Sequence, residues 1–385
     1  MKTLIPLLTL IGLSLSAPNP DNKSHLNDAI FKLGLNLLPD DPTSAVVSPF
    51  SVAMALATVN VGAKGNTKKE ISDVAFGGVQ TPAVSSFFDE NLNLADMADL
   101  KIASRVYLEK TLDLLEPYQK TIADKLDTKL EKADFVHHKE AERVKINNFV
   151  NETTVGHIPE LLGERDISEG TKLVVVNALY MRSPFAEDFS KDFTKEADFK
   201  KEDKSTKKVP TMRGTMAGQF YESSDLSYAR VPFQDRSLEF FLIVPKTGTL
   251  SALKRKLKTS VKFSATHEHA GNIDQIHITM PKFKETTTKK LKEALKKQGI
   301  KDMFTPKADF SEITKAKVHV GDVVHQAVFD LDESGVEAAA ATAIIMEGYS
   351  LCLDCKKTEK AIVADKPFLY GVALNGVPVF VGQYY

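Results

Sequence analysis

The chain has no tryptophan and only two cysteines, Cys352 and Cys355, in 385 residues. One C-x-x-C with no second pair and no nearby histidine does not make a structural zinc site. Its surroundings lack the strand-to-helix pattern of a dithiol redox motif. A local disulfide or two exposed thiols remain. Charge of one sign is also missing: 50 Lys and Arg oppose 51 Asp and Glu, a net charge of -1, which removes bulk attraction to nucleic acid or an anionic membrane. No apolar run reaches the about 18 residues of a membrane span. There is no G-x-S-x-G elbow, phosphate loop or glycine-rich dinucleotide fingerprint, so no enzyme class has a motif, and neither a catalytic residue nor a cofactor is expected. The histidines assemble no metal site. His267 and His269 read as one side of a strand with no third ligand, His137 and His138 as adjacent rings that diverge, and His325 as a buried hydrogen-bonding residue.

What is present starts with residues 1–16. Lys2, the apolar run Leu4–Leu15 and the small residues before Ala17 have the form of a secretory signal peptide, so the expectation is a secreted, extracellular protein with residues 17–385 as one domain. Asn22-Lys23-Ser24 and Asn151-Glu152-Thr153 are glycosylation acceptors. Helical periodicity covers Ser24–Leu38, and a helix apolar on nearly every side covers Phe50–Val61. Leu112–Leu130 and Lys289–Gln298 also read as helices. Leu173–Met181 is apolar enough for a strand buried on both faces, with Asn177 in its middle needing hydrogen-bond partners. Asn375-Gly376 marks a hairpin between two C-terminal strands. Early helices and late strands make one mixed α+β domain, expected as a monomer. Two basic clusters, Lys254-Arg255-Lys256-Lys258 and Lys289-Lys290-Lys292 with Lys296-Lys297, are solvated helix faces or a weak site for a polyanion such as heparin.

Several motifs fall in a particular order: Ser48-Pro49-Phe50-Ser51; Asn147-Asn148-Phe149-Val150-Asn151 with Gly156-His157-Ile158-Pro159; Asn177-Ala178-Leu179-Tyr180; Met280-Pro281-Lys282-Phe283; Asp309-Phe310-Ser311; Val324-His325-Gln326-Ala327; and Ala364-Asp365-Lys366-Pro367-Phe368. In this order the chain resembles the serpins from about Leu26 to Gly382. The resemblance implies a serpin fold of three β-sheets and eight or nine helices, with an exposed reactive-centre loop at about 334–355. It also implies that Ser48, Ser51, Asn177 and His325 form a polar cluster beneath the strands that part to admit the loop, supplying the partners Asn177 needs. Members of the family act as one-use protease substrates whose cut loop inserts into the main sheet. Three departures stand out: Phe185 where tryptophan is usual, Val381-Gly382-Gln383 where F-G-R is usual, and a longer segment from Ser350 to Pro367.

The implied loop hinge runs through Glu333, Gly335, Val336, Glu337, Ala338, Ala339, Ala340, Ala341 and Thr342. Strand side chains alternate, and one parity reads Val336, Ala338, Ala340, Thr342, Ile344, Met346, Gly348, all uncharged. Glu337 and Glu347 fall on the other face, so insertion need not bury a lone carboxylate. Gly335 supplies conformational freedom at the hinge, and no proline interrupts the segment. Fourteen inserted residues displace the tip by about 45 Å. Family spacing places the cut bond at Tyr349-Ser350, with cleavage after Met346 or Leu351 as alternatives. Tyrosine suits a hydrophobic specificity pocket, so the expected partner is a chymotrypsin-like serine protease, including cathepsin G-like or chymase-like enzymes. The alternative is a non-inhibitory serpin acting as ligand carrier or chaperone.

Overall fold

A computed structural model describes residues 20–98, 100–336 and 358–385. Residues 1–19 and 337–357 lie outside the described residues, and with them the expected signal peptide, Glu337 to Thr342, Tyr349-Ser350, Cys352 and Cys355.

In chain order the elements are α1 (Pro20–Leu37), β1 (Ala45–Val47), α2 (Pro49–Val61), α3 (Gly65–Phe76), α4 (Thr81–Met97), β2 (Lys101–Glu109), α5 (Glu116–Leu126), β3 (Lys129–Ala133) and α6 (Lys139–Thr153). There follow β4 (Leu173–Tyr180), β5 (Ser183–Pro184), β6 (Lys195–Lys200), β7 (Thr206–Glu222), β8 (Leu226–Pro232), β9 (Leu238–Pro245), α7 (Leu250–Thr259), α8 (Phe263–Glu268), β10 (Gly271–Pro281) and β11 (Phe283–Lys290). The chain closes with α9 (Lys292–Gln298), β12 (Val323–Asp332), β13 (Gly335–Val336), β14 (Glu359–Val363), β15 (Phe368–Leu374) and β16 (Val377–Tyr384).

One sheet runs β3-β2-β4-β12-β13-β5, with β11 on β12. The other runs β1-β16-β15-β9-β8-β7-β10-β14, with β6 on β7. The length of β7 joins two layers in this second sheet: its first residues pair with β6 and its last with β8. α2 is buried from Pro49 to Asn60, as expected of a helix with no polar face. Ser48 caps it, its Oγ accepting from the Ser51 amide at 3.2 Å. β4 is buried along its whole length. Asn375 and Gly376 both take positive φ, 46° and 83°, the requirement of the two-residue hairpin between β15 and β16.

Three expectations fail locally. The segment Leu112–Leu130 is helical only over Glu116–Leu126, because Asp127 takes a left-handed conformation and the chain then enters β3. Lys289 and Lys290 end strand β11, which pairs along β12 from Phe283 to Lys290. Exposure alternates residue by residue along it, as in a half-exposed strand. His267 lies in α8, not in a strand.

Candidate functional site at the seam of the seven-stranded sheet

β4 and β12 run parallel and pair from Val175 with Val323 to Leu179 with Ala327. β4 then ends at Tyr180, while β12 continues to Asp332. Into this opening the chain doubles back as β13. Leu331 pairs with Val336 and Asp332 with Gly335, both antiparallel, and on the other side Gly335 meets Pro184 and Val336 meets Ser183. Gly335 and Val336 of the expected hinge therefore already form a strand between β12 and β5. Val336 is 1% exposed and belongs to the main core, the inward parity expected of it. Gly335 has φ +135°, and a Cβ there would lie 2.4 Å from the Ser183 carbonyl oxygen. Only glycine fits.

The residues just before β13 are held by the segment 185–194. The Phe185 amide donates to the Ser334 carbonyl and the Phe189 amide to the Glu333 carbonyl, each at 2.8 Å. The Glu333 carboxylate accepts from Thr194 Oγ1 at 2.7 Å and from Lys282 Nζ at 2.8 Å. Burial alone would push its pKa up, but Lys282, Thr194 and its own main-chain amide outweigh burial and hold the group below its ordinary value. Phe185, in place of the family's tryptophan, stacks on Phe233 at 5.1 Å and meets Phe189 and Phe240 edge-on.

Lower on the seam, His325 is fully buried, and its Nε2 accepts the Ser48 amide at 3.0 Å, which places its own proton on Nδ1. Ser51 Oγ returns a hydrogen bond to the Ser48 carbonyl at 3.1 Å. Burial, then the charge of Lys289, pushes the imidazole down to about 4, against a smaller opposing contribution from the Asn177 main chain. The ring is neutral at physiological pH. Asn177 faces His325 across the strand pair, so the four expected residues do lie together. Hydrogen bonds join only three of them: both side-chain atoms of Asn177 are buried without a partner among the described residues. An unmet amide costs about 1–3 kcal/mol, and this one lies on the parallel pairing between β4 and β12.

The basic clusters are largely committed to internal partners. Lys254 is 3% exposed, with Nζ 2.5 Å from Gln383 Oε1 and 2.6 Å from the Pro39 carbonyl. Burial and then Lys258 push it down to about 8. Lys256 pairs with Asp225, and Lys258 with Asp40. Of the first cluster, Arg255 alone has no side-chain partner among the described residues. Lys290 pairs with Asp166, Lys297 with Asp40 and Lys296 with Glu293. The Gln383 amide in turn donates to the carbonyls of Pro39, Asp41 and Thr43. The cation missing from the C-terminal F-G-R position is thus supplied from α7. His137 and His138 converge on Asp134, at 3.1 and 2.7 Å, rather than diverging. Sequence reasoning missed Thr194, Lys282 and Lys254 as partners. Lys282 at least sits within one of the ordered motifs; Thr194 has no local signal.

A family model described as Serpin (serine protease inhibitor) matches residues 26–385. A leukocyte elastase inhibitor of Bos taurus is 32% identical over 350 residues, covering 88% of this chain and 91% of the relative. Serpin B6 of Macaca fascicularis is 30% identical over 380 residues, covering 93% and 98%. Among solved structures, Serpin48 of Tenebrio molitor superposes with a TM-score of 0.81 at 25% identity, covering 96% of this chain and 99% of that one. Maspin gives 0.81 at 25%, covering 94% and 98%.

These relatives correct the expected secretion. Leukocyte elastase inhibitor and serpin B6 are intracellular serpins that lack a secretion signal. The reading of residues 1–16 as a signal peptide rested on a short apolar run that an N-terminal helix would share, and the secreted, extracellular localisation does not stand. The two glycosylation acceptors lose support with it: Asn22 and Asn151 lie half-buried in α1 and α6, not in the surface loops such acceptors favour.

Proposed function

The chain belongs to the serpin family of serine protease inhibitors, and on that premise we propose that it inhibits chymotrypsin-like serine proteases, cathepsin G-like and chymase-like enzymes included, by inserting its cleaved loop into the seven-stranded sheet. The observation that carries this reading is β13. A strand of two residues already lies between β12 and β5, antiparallel to both, with Val336 inward and a glycine where nothing larger fits. Continuing that register buries Ala338, Ala340 and Thr342 and leaves Glu337 on the opposite face.

In this mechanism the protease serine attacks the Tyr349 carbonyl, the Tyr349–Ser350 bond breaks, and the Ser350 amine leaves with the C-terminal part of the chain. The acyl-enzyme is then drawn along as residues 337–349 extend β13. To admit them, β4 and β12 part between Val175–Leu179 and Val323–Ala327. A neutral His325 and an unmatched Asn177 make that pairing cheaper to open than a fully satisfied one. Relatives named leukocyte elastase inhibitor support a serine protease as partner.

Incubation with chymotrypsin, trypsin and elastase, followed by a denaturing gel and intact mass, tests the reading. The expected result is an SDS-stable complex with chymotrypsin and a released fragment beginning at Ser350. Clean turnover of the chain with no complex would sink the inhibitor reading and favour the carrier alternative. A fragment beginning at Glu347 or Cys352 would move the cut bond.

A further inference from the structure

The chain that follows α6 crosses the seam between β4 and β12. Val155 and Gly156 take positive φ, 53° and 84°, and turn residue 157 back over the sheet. There the His157 ring stacks on Tyr180, the last residue of β4, at 4.2 Å and 10°. Alternate residues of a strand share a face, so Tyr180 continues the row of Val174, Val176 and Ala178. Those three belong to a second core cluster with Ile146 and Val150 of α6. Further along, Asp166 makes an ion pair with Lys290, the last residue of β11. Val324 of β12 pairs with Val176 of β4 on one edge and with Lys290 on the other. The segment is thus fastened to β4 at one end and to β11 at the other, with β12 between.

The stretch between these fastenings has little slack. Asn147 of α6 donates through Nδ2 to the Leu162 carbonyl at 2.8 Å, and its Oδ1 accepts the Leu161 and Leu162 amides at 3.0 and 2.8 Å. Arg143 donates to the same Leu162 carbonyl, and the Asp166 carboxylate accepts the Gly163 amide, each at 2.8 Å. α6 and residues 154–166 therefore form one braced body.

Its holds on the sheet are unequal. Toward β4 the body has the His157–Tyr180 stack, the Arg105 guanidinium of β2 3.6 Å over the Phe149 ring, and Lys145 3.1 Å from Glu131 of β3. Across the seam it has apolar contact with Val324 and Val328 and the Asp166–Lys290 pair. Admitting one strand between β4 and β12 would carry β4 and β11 about 4.8 Å further apart, more than an ion pair or a ring stack can stretch. The side with fewer holds gives way. The Lys290 side chain is 56% exposed, so it can swing into water while Gly163 still bonds the aspartate.

We propose that Asp166–Lys290 is a releasable catch across the seam. Closed, it holds the α6 body over paired β4 and β12; its opening is a step of strand insertion, and its strength sets how fast a strand enters. This rests on the insertion reading above and deepens it by naming a pair, outside the loop, that controls the rate.

The test uses the full chain and a fluorescein-labelled peptide of residues 337–349, whose anisotropy follows its entry into the seam with no protease present. Lys290→Gln and Asp166→Asn should each speed entry about threefold. The double variant should be no faster than either single one, because both remove the same contact. Lys284→Gln breaks an ion pair between β11 and Asp330 of β12, which does not span the seam, and should leave the rate unchanged. Raising sodium chloride should bring the unaltered chain toward the Lys290→Gln rate, since the pair is screened. Equal rates for the unaltered chain, Lys290→Gln and Asp166→Asn overturn the catch and leave insertion standing. Additive gains in the double variant, or an equal gain from Lys284→Gln, do the same. Peptide entry into none of these proteins overturns the insertion reading, and the catch with it.

Discussion

Between Val175 and Leu179, β4 lies directly against β12, fastened by backbone pairing over a buried, neutral imidazole; above Tyr180 the two elements are kept apart by a glycine and a valine that fill the gap. The lower half spends its polar groups poorly, leaving the Asn177 amide unmatched. The upper half satisfies nearly everything, with three main-chain or side-chain contacts on Glu333 alone. A sheet meant only to be stable would reverse this, placing its best pairing at the centre. If the chain works as proposed above, the centre is the place easiest to part, and the entrance is where the incoming strand would be held in register.

The comparison can be broken most severely at His325. Replacing it with Ala removes the acceptor of the Ser48 amide and leaves a cavity under β12, so a loss of about 3 kcal/mol is expected, read from denaturant midpoints. The same residue gives a pH signature. Its folded pKa, about 4, lies below the ordinary 6.5, so the unfolded chain takes up the proton first. Stability is complete above pH 6.5 and falls as the pH drops towards 4, by about 3 kcal/mol at the limit. His325→Gln should flatten that part of the difference curve. The further descent due to His267, pushed down to about 3 by burial and then Arg230, should remain.

Gly335→Val attacks the upper half. The new side chain meets the Ser183 carbonyl and sits at a φ that branched residues avoid, costing about 2–3 kcal/mol. With β13 expelled, the protein should be cleaved as a substrate rather than trap the protease. Gel densitometry of complex against cleaved chain measures that partition. Lys282→Ala is milder, at about 1–2 kcal/mol, since Lys282 is partly exposed and Thr194 still donates to Glu333. Smallest is Val155→Asn. Val155 is 64% exposed at φ 53° beyond the end of α6, a conformation asparagine tolerates. The variant should gain about 0.5–1 kcal/mol in thermal unfolding, with no change at the seam.

What could be read from the residues followed from how local the cause was. α2 announces itself through its run of apolar side chains and its Ser48 cap, β4 through its unbroken apolar stretch, and the β15–β16 hairpin through Asn375-Gly376. Each is dictated by its own neighbours in sequence. β11 and the short span of α5 were misread because lysine-rich segments carry little periodicity, and pairing with β12 or β2 decided them. At the site, the grouping of Ser48, Ser51, Asn177 and His325 was foreseen through family resemblance. Its internal bonding was not, since whether an amide finds a partner depends on distances of a few tenths of an ångström. Thr194 meeting Glu333 across 139 residues, and Lys254 standing in for a cation absent from the C-terminal strand, are products of tertiary packing that no nearby residue reports.

The Phe185–Phe233 stack carries one practical consequence. A chain with no tryptophan has no indole fluorescence of its own, so Phe185→Trp would place a lone emitter against the segment that holds Glu333 and Ser334. Any change in its emission, whether on loop cleavage or on acidification, would report from one known place in the chain.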